Sequence, residues 1–447
     1  MTSLKKLAIR SAIWTIAGYG ANQIIRFASN LVLTRLLVPE FFGLMALVNT
    51  LRVGIELFSD LGISQSIVNN KRGDEPEFLN TAWTLQIIRG GIIWIFCLLI
   101  TIPIANFYGD ARLLWLIPIV GITSVVDGFG STAIHSLHRS MVMGRYTVFE
   151  LILQILTLST LIFLAWIYPS VFSLAVGGVI ASIMRMVGSY WLIPGYKNRI
   201  AWDKDAVQDI MSFGKWMFVA SGLIFAAEQA DRLILGKLLT FQMLGVYTIA
   251  YALASIPREV IKQLSHRVIF PAIANSVDLT RESLRAKILT QRRLILIGFA
   301  GFLAILVTCG DKVIDILYDN RYTQATWMMP ILCSGIWFSL LFHTTSPALL
   351  AIGKPLYAAQ SNFARFVLIA FGINIAFNLY GVLGAVIVIG VSDFPLYLVN
   401  LYGLWREKLL LIGQDIQTTI FFIGLLAVLI TIRYFLGLGL PISAILQ

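Results

Sequence analysis

Eight arginines (Arg26, Arg52, Arg89, Arg185, Arg232, Arg258, Arg365 and Arg433) and eight carboxylates (Glu56, Asp60, Asp127, Glu150, Glu228, Asp231, Glu259 and Asp393) interrupt stretches that are otherwise apolar enough to be membrane helices. One ionised side chain at the bilayer centre costs roughly 3 kcal/mol even on a lenient insertion scale. A whole fold has only about 5 to 15 kcal/mol of net stability. These side chains therefore pair with one another or line water, and their helical spacing points to a polar cavity inside a bundle.

The chain's 447 residues are 58% hydrophobic and 13% charged, whereas roughly a quarter of a soluble domain is charged. Apolar runs near 20 residues, without strand-like alternation, predict helices, because a helix satisfies its own backbone in lipid. Thirteen spans are expected, with cores at 11–35, 42–68, 79–105, 112–136, 146–167, 171–193, 215–239, 243–262, 293–310, 324–352, 357–379, 381–404 and 416–436. The last ten residues are apolar but too short to cross, so a half-span or the stump of a fourteenth helix is expected there.

Placing Lys5, Lys6 and Arg10 in the cytoplasm leaves Arg35, Arg112, Lys237, Lys312 and Arg321 on the opposite side. Of the 34 Lys and Arg, eight lie in spans and these five lie outside, so 21 face the cytoplasm. That is a strong positive-inside bias. The net charge of +11 reads as topology and attraction to anionic headgroups, and nucleic acid is not expected as a partner. A cleavable leader is not expected either, because the first run continues through Asn22, Gln23 and Arg26.

Sliding the chain by 202 residues sets Trp14 on Trp216, Gly20 on Gly222, Ala28 on Ala230, Leu31 on Leu233, Leu33 on Leu235, Leu36 on Leu238, Leu37 on Leu239, Gly43 on Gly245 and Leu51 on Leu253. Six spans separate the copies, so both halves enter the membrane in the same direction. The expected fold is all-α and polytopic, with two pseudo-symmetric six-helix lobes around a central cavity and one or two peripheral C-terminal helices. The lobes are expected at 1–193 and 215–404, with a cytoplasmic, partly helical linker at 194–214 and accessory helices at 405–447. The basic stretch Arg267 to Arg293 reads as an amphipathic segment on the inner surface.

Polar residues recur three or four apart on four helices. They are Thr15, Tyr19, Asn22, Arg26 and Asn30 on the first span, and Asn49, Arg52, Glu56 and Asp60 on the second. Ser221, Glu228, Asp231 and Arg232 mark the seventh, and Tyr251, Ser255, Arg258, Glu259 and Lys262 the eighth. The offset sets Arg26 on Glu228 and Glu56 on Arg258, an arrangement suited to cross-lobe ion pairs. Arg89, Asp127, Arg185 and Asp393 fit that cavity or pairing within a lobe. The thirteenth span, with threonines in its core and Arg433 near one end, is expected to be peripheral and to face lipid.

Gly214, Gly236 and Gly353 each precede a lysine without the spacing or following Ser or Thr of a P-loop. Cys97, Cys309 and Cys333 are isolated, so neither a disulfide framework nor a zinc site is expected. His135 and His138 lack a third ligand nearby and read as hydrogen-bonding groups. No cofactor, metal or catalytic residue is assigned.

Arg35, Leu36, Leu37, Pro39, Phe42 and Gly43 resemble the exit of the first span in a known family. Phe58–Gly62, Asn80–Trp83 with Arg89 and Gly90, Ser212–Trp216, Asp231–Gly236 and Leu244–Tyr247 are similar to its further motifs. The chain is identified on these residues as a member of the Wzx-type polysaccharide exporters, or lipid-linked oligosaccharide flippases, of the multidrug/oligosaccharidyl-lipid/polysaccharide superfamily.

The resemblance implies an undecaprenyl-diphosphate-linked glycan flipped by alternating access across a bacterial cytoplasmic membrane, for extracellular polysaccharide or lipopolysaccharide synthesis. Its expected partners are membrane lipids, a proton or sodium ion, and glycan polymerase machinery. Guanidinium forks match phosphate oxygens, so Arg26, Arg52, Arg232 and Arg258 are assigned to the diphosphate. Asn22, Asn30, Glu56, Asp60 and Tyr251 are assigned to sugar or gating, and Asp60, Glu228 or Asp231 to ion coupling. The alternatives are a cation-coupled multidrug antiporter, which wants more acids than arginines, and a membrane polysaccharide polymerase or ligase, which wants a large extracytoplasmic loop. An uncoupled scramblase is a further alternative.

Overall fold

The computed structural model describes residues 2–59, 62–135, 143–192 and 198–442, and every regular element among them is helical. The chain divides into two compact units, Met1–Gly222 and Leu223–Gln447. In the first half, α1 (Thr2–Leu36) packs on α6 (Met143–Ile167), while α4 (Pro76–Tyr108) packs on α5 (Leu113–Gly128). Helix α7 (Val171–Leu192) contacts α5, α6 and α2 (Pro39–Phe58), and the short α3 (Ile63–Asn69) sits on α4.

Helix α8 (Lys204–Leu238) carries the chain into the second half. There follow α9 (Phe241–Ala254), α10 (Ile256–Leu264), a π-helical turn at Ser265–Ile269, α11 (Phe270–Ala274), α12 (Arg281–Leu317), α13 (Ala325–Ala351), α14 (Leu356–Val391), α15 (Asp393–Arg406) and α16 (Ile412–Phe435). Helix α13 is the hub, packed against α9, α12, α14 and α15. Seven described helices are long and apolar enough to cross a membrane. Exposed Ile92, Leu99 and Ile102 form one apolar stripe on α4, as expected of a lipid-facing helix.

The internal repeat reappears in the helix boundaries. Helices α1 and α8 each have 35 residues, starting at 2 and 204 and ending at 36 and 238. Helices α2 and α9 begin at 39 and 241. A second correspondence was not anticipated: Arg112 closes on Asp110 through its own N–H (2.8 Å) and Nε (3.0 Å), and Arg321 closes on Asp319 in the same way (both 3.0 Å).

Two expected spans are broken. The run 42–68 ends as α2 at Phe58, and the chain restarts as α3 after Gly62, whose φ of +61° suits glycine. The run 243–262 breaks at Ser255, where Pro257 opens α10, because proline has no N–H to continue the ladder. The expected boundary between 379 and 381 is a true reversal at Gly381 (φ +61°). Gly372 lies beside Val388 and Gly384 beside the Ala376 carbonyl, so the chain doubles back about residue 380. Glycine also sets two close crossings. A Cβ on Gly90 would collide with the Ser124 carbonyl oxygen, and one on Gly335 with that of Gly390.

The segment 267–293 is not one surface helix. Its second part is the start of the continuous α12, and Arg292 is buried there, donating to Asp415 and, at 2.7 Å, to Thr344 Oγ1. Helix α16 exposes most of its apolar surface, but it is pinned rather than loosely peripheral. Asp415 binds Arg292 near its start, and Arg433 near its end makes a two-pronged bond to Asp311. Breaking a buried pair of this kind strands a charge at a cost of roughly 3 to 5 kcal/mol.

The segment before α8 forms a strap on the first half. Backbone N–H groups of Arg199, Ala201 and Asp203 donate to Asn80 Oδ1 (3.0 Å), Thr84 Oγ1 (3.1 Å) and Thr81 Oγ1 (3.0 Å). Arg72 binds Asp203 at 2.6 Å, and Ala206 and Ile210 enter the core of Ile67, Phe78 and Ala82. The Arg72 guanidinium holds the Asp203 carboxyl below its usual 3.8. A depressed carboxylate stabilises the fold above its unfolded pKa and loses that contribution as pH falls through the folded value. Protection factors of the amides in residues 199–206, which divide out the intrinsic pH dependence of exchange, should therefore be unchanged from pH 7 to 5 and fall once pH drops below about 4. Arg72→Ala should abolish that acid-dependent step.

Candidate functional site

In the first half the polar faces of α2, α4 and α5 meet. Arg52 forms an ion pair with Glu56 one turn along, and Glu56 Oε1 also accepts from Ser124 Oγ at 2.9 Å. Arg89 donates to the Glu56 carbonyl at 2.7 Å and to Ser59 Oγ at 3.2 Å, where α2 ends. The arginine of the third-span motif thus joins the Ser59 N–H (3.2 Å) and Oγ (3.0 Å) on the Glu56 carbonyl where α2 ends. Arg185 reaches Glu150 at 3.4 Å. The Asp127 carbonyl accepts from Gln86 at 2.9 Å, while its buried Oδ1 has no partner.

The second half builds a denser cluster around Tyr251. Arg258 donates to Asp393 and, at 2.8 Å, to the Tyr251 hydroxyl. Arg365 Nε stands 3.2 Å from the other oxygen of Asp393. That approach lacks hydrogen-bond alignment, so both atoms lack a true bond there. The guanidiniums of Arg232 and Arg258 lie over the Tyr251 ring, 5.5 and 5.8 Å from its centre, an attraction between a cation and the negative ring face. Arg232 also donates to Gln229 at 2.5 Å, and neighbouring Asp231 accepts from the Tyr247 hydroxyl. Three guanidiniums and Lys262 thus share Asp231, Asp393 and Glu228, and Nε of Arg232 and of Arg258 are buried donors without a partner. Unspent cationic donors in a desolvated setting suit an anion with several oxygens.

Arg232, Arg258 and Tyr251 are brought together, as their stripes suggested, with Asp231 alongside. Glu228 lies on the same helix and pairs with Lys262 at 2.6 Å. Glu56 and Arg258, aligned for a cross-lobe pair, each take a partner in their own half. Arg26 is exposed and has no partner among the described residues. Asn22 and Asn30 are half-buried, and Asn22 Oδ1 is a buried acceptor without a donor. Asp60 and His138 lie outside the described residues. His135 bonds Ser64 at 3.0 Å, as an interfacial histidine should.

Residues 32–327 match the family described as Polysaccharide biosynthesis protein. The chain belongs to that family. Teichuronic acid biosynthesis protein TuaB of Bacillus subtilis (strain 168) is 20% identical over 358 residues, covering 79% of this chain and 73% of that protein. Lipopolysaccharide biosynthesis protein WzxC of Escherichia coli (strain K12) is 22% identical over 340 residues, covering 74% and 67%. Succinoglycan biosynthesis transport protein ExoT of Rhizobium meliloti (strain 1021) is 20% identical over 350 residues, covering 78% and 70%. The fold is that of a solved lipid II flippase MurJ (TM-score 0.74, 13% identity, 93% of this chain and 92% of that one). It is also similar to a multidrug MATE transporter of the MOP superfamily (TM-score 0.62, 16% identity, 92% and 94%). The resemblance read from the motifs is borne out.

Asp393 is the keystone of the Tyr251 cluster. Asp393→Ala leaves Arg258 and Arg365 as adjacent buried cations and should cost about 3 to 5 kcal/mol. Arg258→Ala should cost less, because Arg365 still faces Asp393. Thermal melting of the two variants in detergent checks the order, and equal losses would contradict this division of charge.

Proposed function

We propose that the chain moves an undecaprenyl-diphosphate-linked oligosaccharide across the bacterial cytoplasmic membrane by alternating access, with its N-terminus in the cytoplasm. The observation that carries this reading is the Tyr251 cluster, in which Arg232 and Arg258 keep buried donors unspent. Arg232 and Arg26, less committed than Arg52 and Arg258, take the diphosphate first. Arg52 and Arg258, held by Glu56 and Asp393, supply fixed positive charge at no reorganisation cost. Tyr251, Asn22 and Asn30 offer a ring face and amides to sugar hydroxyls.

The reading takes with it the expectation of two six-helix lobes enclosing a central cavity, and a transporter rather than an enzyme. The relatives carry the names of chemically different glycans, teichuronic acid, lipopolysaccharide and succinoglycan. That variety favours recognition centred on a common anionic anchor over recognition of one sugar. A site for drug cations needs carboxylates free of cations, whereas Glu56, Glu228 and Asp393 each face one. For proton or sodium coupling Asp231 is the better candidate than Glu228, since its buried Oδ1 has no partner.

In a strain lacking its own exporter, Arg26→Ala and Arg232→Ala should each lower surface glycan at least about tenfold at matched membrane abundance. A loss of roughly 1.4 kcal/mol in transition-state binding suffices for that. Lysine at either position should restore part of the signal. Wild-type glycan in both alanine variants would refute the assignment.

A further inference from the structure

We propose that a groove along α12 and α16 binds an anionic glycerophospholipid, with Arg285 and Arg293 holding its phosphate and Ile297 and Phe421 receiving an acyl chain. The groove has a volume of about 620 Å³ and is lined by these four residues together with Gln414 and Gln417. Arg285 and Arg293 are exposed, and neither has a partner among the described residues. Arg292, between them in sequence, is consumed by Asp415, so no carboxylate lining the groove answers their charge.

The groove is polar at one end and apolar at the other. At 1.5 Å per residue, Ile297 lies about 6 Å beyond Arg293 along α12 and about 18 Å beyond Arg285. Ile297 and Phe421 are 40% and 46% exposed. An amphiphile with an anionic head matches this gradient, and a soluble anion leaves the apolar end uncovered. A third feature selects the head. Gln414 spends its amide N–H on the Leu289 carbonyl at 2.8 Å, and its Oε1 is a buried acceptor with no donor. A glycerol headgroup brings hydroxyl donors beside its phosphate, which a choline headgroup cannot. The basic residues fall on the side read as cytoplasmic, where anionic lipid attracts Lys and Arg. Such a lipid seals the seam that the Arg292–Asp415 pair holds from within.

The full-length protein in detergent, supplied with dioleoyl-phosphatidylglycerol or dioleoyl-phosphatidylcholine, is assayed by native mass spectrometry and thermal melting. Wild type should retain phosphatidylglycerol preferentially and melt higher in its presence. Arg285→Gln/Arg293→Gln should reduce retention at least about tenfold and lose the thermal shift, yet melt like wild type without added lipid. Single Arg285→Gln should fall between, and Lys354→Gln, an exposed charge outside the groove, should match wild type. Undecaprenyl diphosphate should not displace the bound lipid. Undiminished retention in the double variant, or displacement by undecaprenyl diphosphate, overturns the proposal, and neither result bears on Arg26 or Arg232.

Discussion

The dominant constraint on this molecule is the cost of stranding a charge in a medium without water. Removing an ion from water costs several kcal/mol even after relaxation, and only a close, well-bonded partner repays it. Each half answers in its own way. The first gathers Arg52, Glu56 and Arg89 at a broken helix end, where Arg52 pairs with the Glu56 carboxylate and Arg89 donates to its carbonyl. The second sets Asp393 between two arginines and pins α16 with Arg292–Asp415 and Asp311–Arg433. Such pairs add little net stability over apolar packing, but they forbid other registers, because a slipped helix leaves a bare ion behind.

The Tyr251 cluster leaves part of this pairing unfinished. Its guanidiniums, two of them with unspent Nε donors, are held by an aromatic face, a tyrosine hydroxyl and a buried carboxylate. A preorganised cationic site is costly for the fold alone and useful when an anion completes it. The family places the chain among polysaccharide biosynthesis proteins, and this local chemistry supports the proposal of an anionic lipid-linked glycan as its cargo.

Much of this was legible in the sequence because helical spans report themselves through length and apolarity. The 202-residue offset reappears in the ends of α1 and α8, although both helices begin well before the expected cores at 11 and 215, and the Tyr251–Arg258 stripe led to the charged cluster. Partners were not legible. Arg292 reads as one more topogenic charge, and Asp415 and Asp311 lie just outside the expected cores, so two pairs bridging over 120 residues left no local signal. The Asn80 and Thr81 side chains resembled a family motif without revealing their use, which is to hold the backbone of a strap some 120 residues away. Periodicity identifies a face, and only tertiary packing decides what meets it.

The most direct test is transfer between leaflets in proteoliposomes holding the purified chain and a fluorescent undecaprenyl-diphosphate oligosaccharide. The account predicts protein-dependent transfer of the diphosphate-linked glycan and none of a lipophilic cation of similar size. Movement of the cation without the glycan would contradict it.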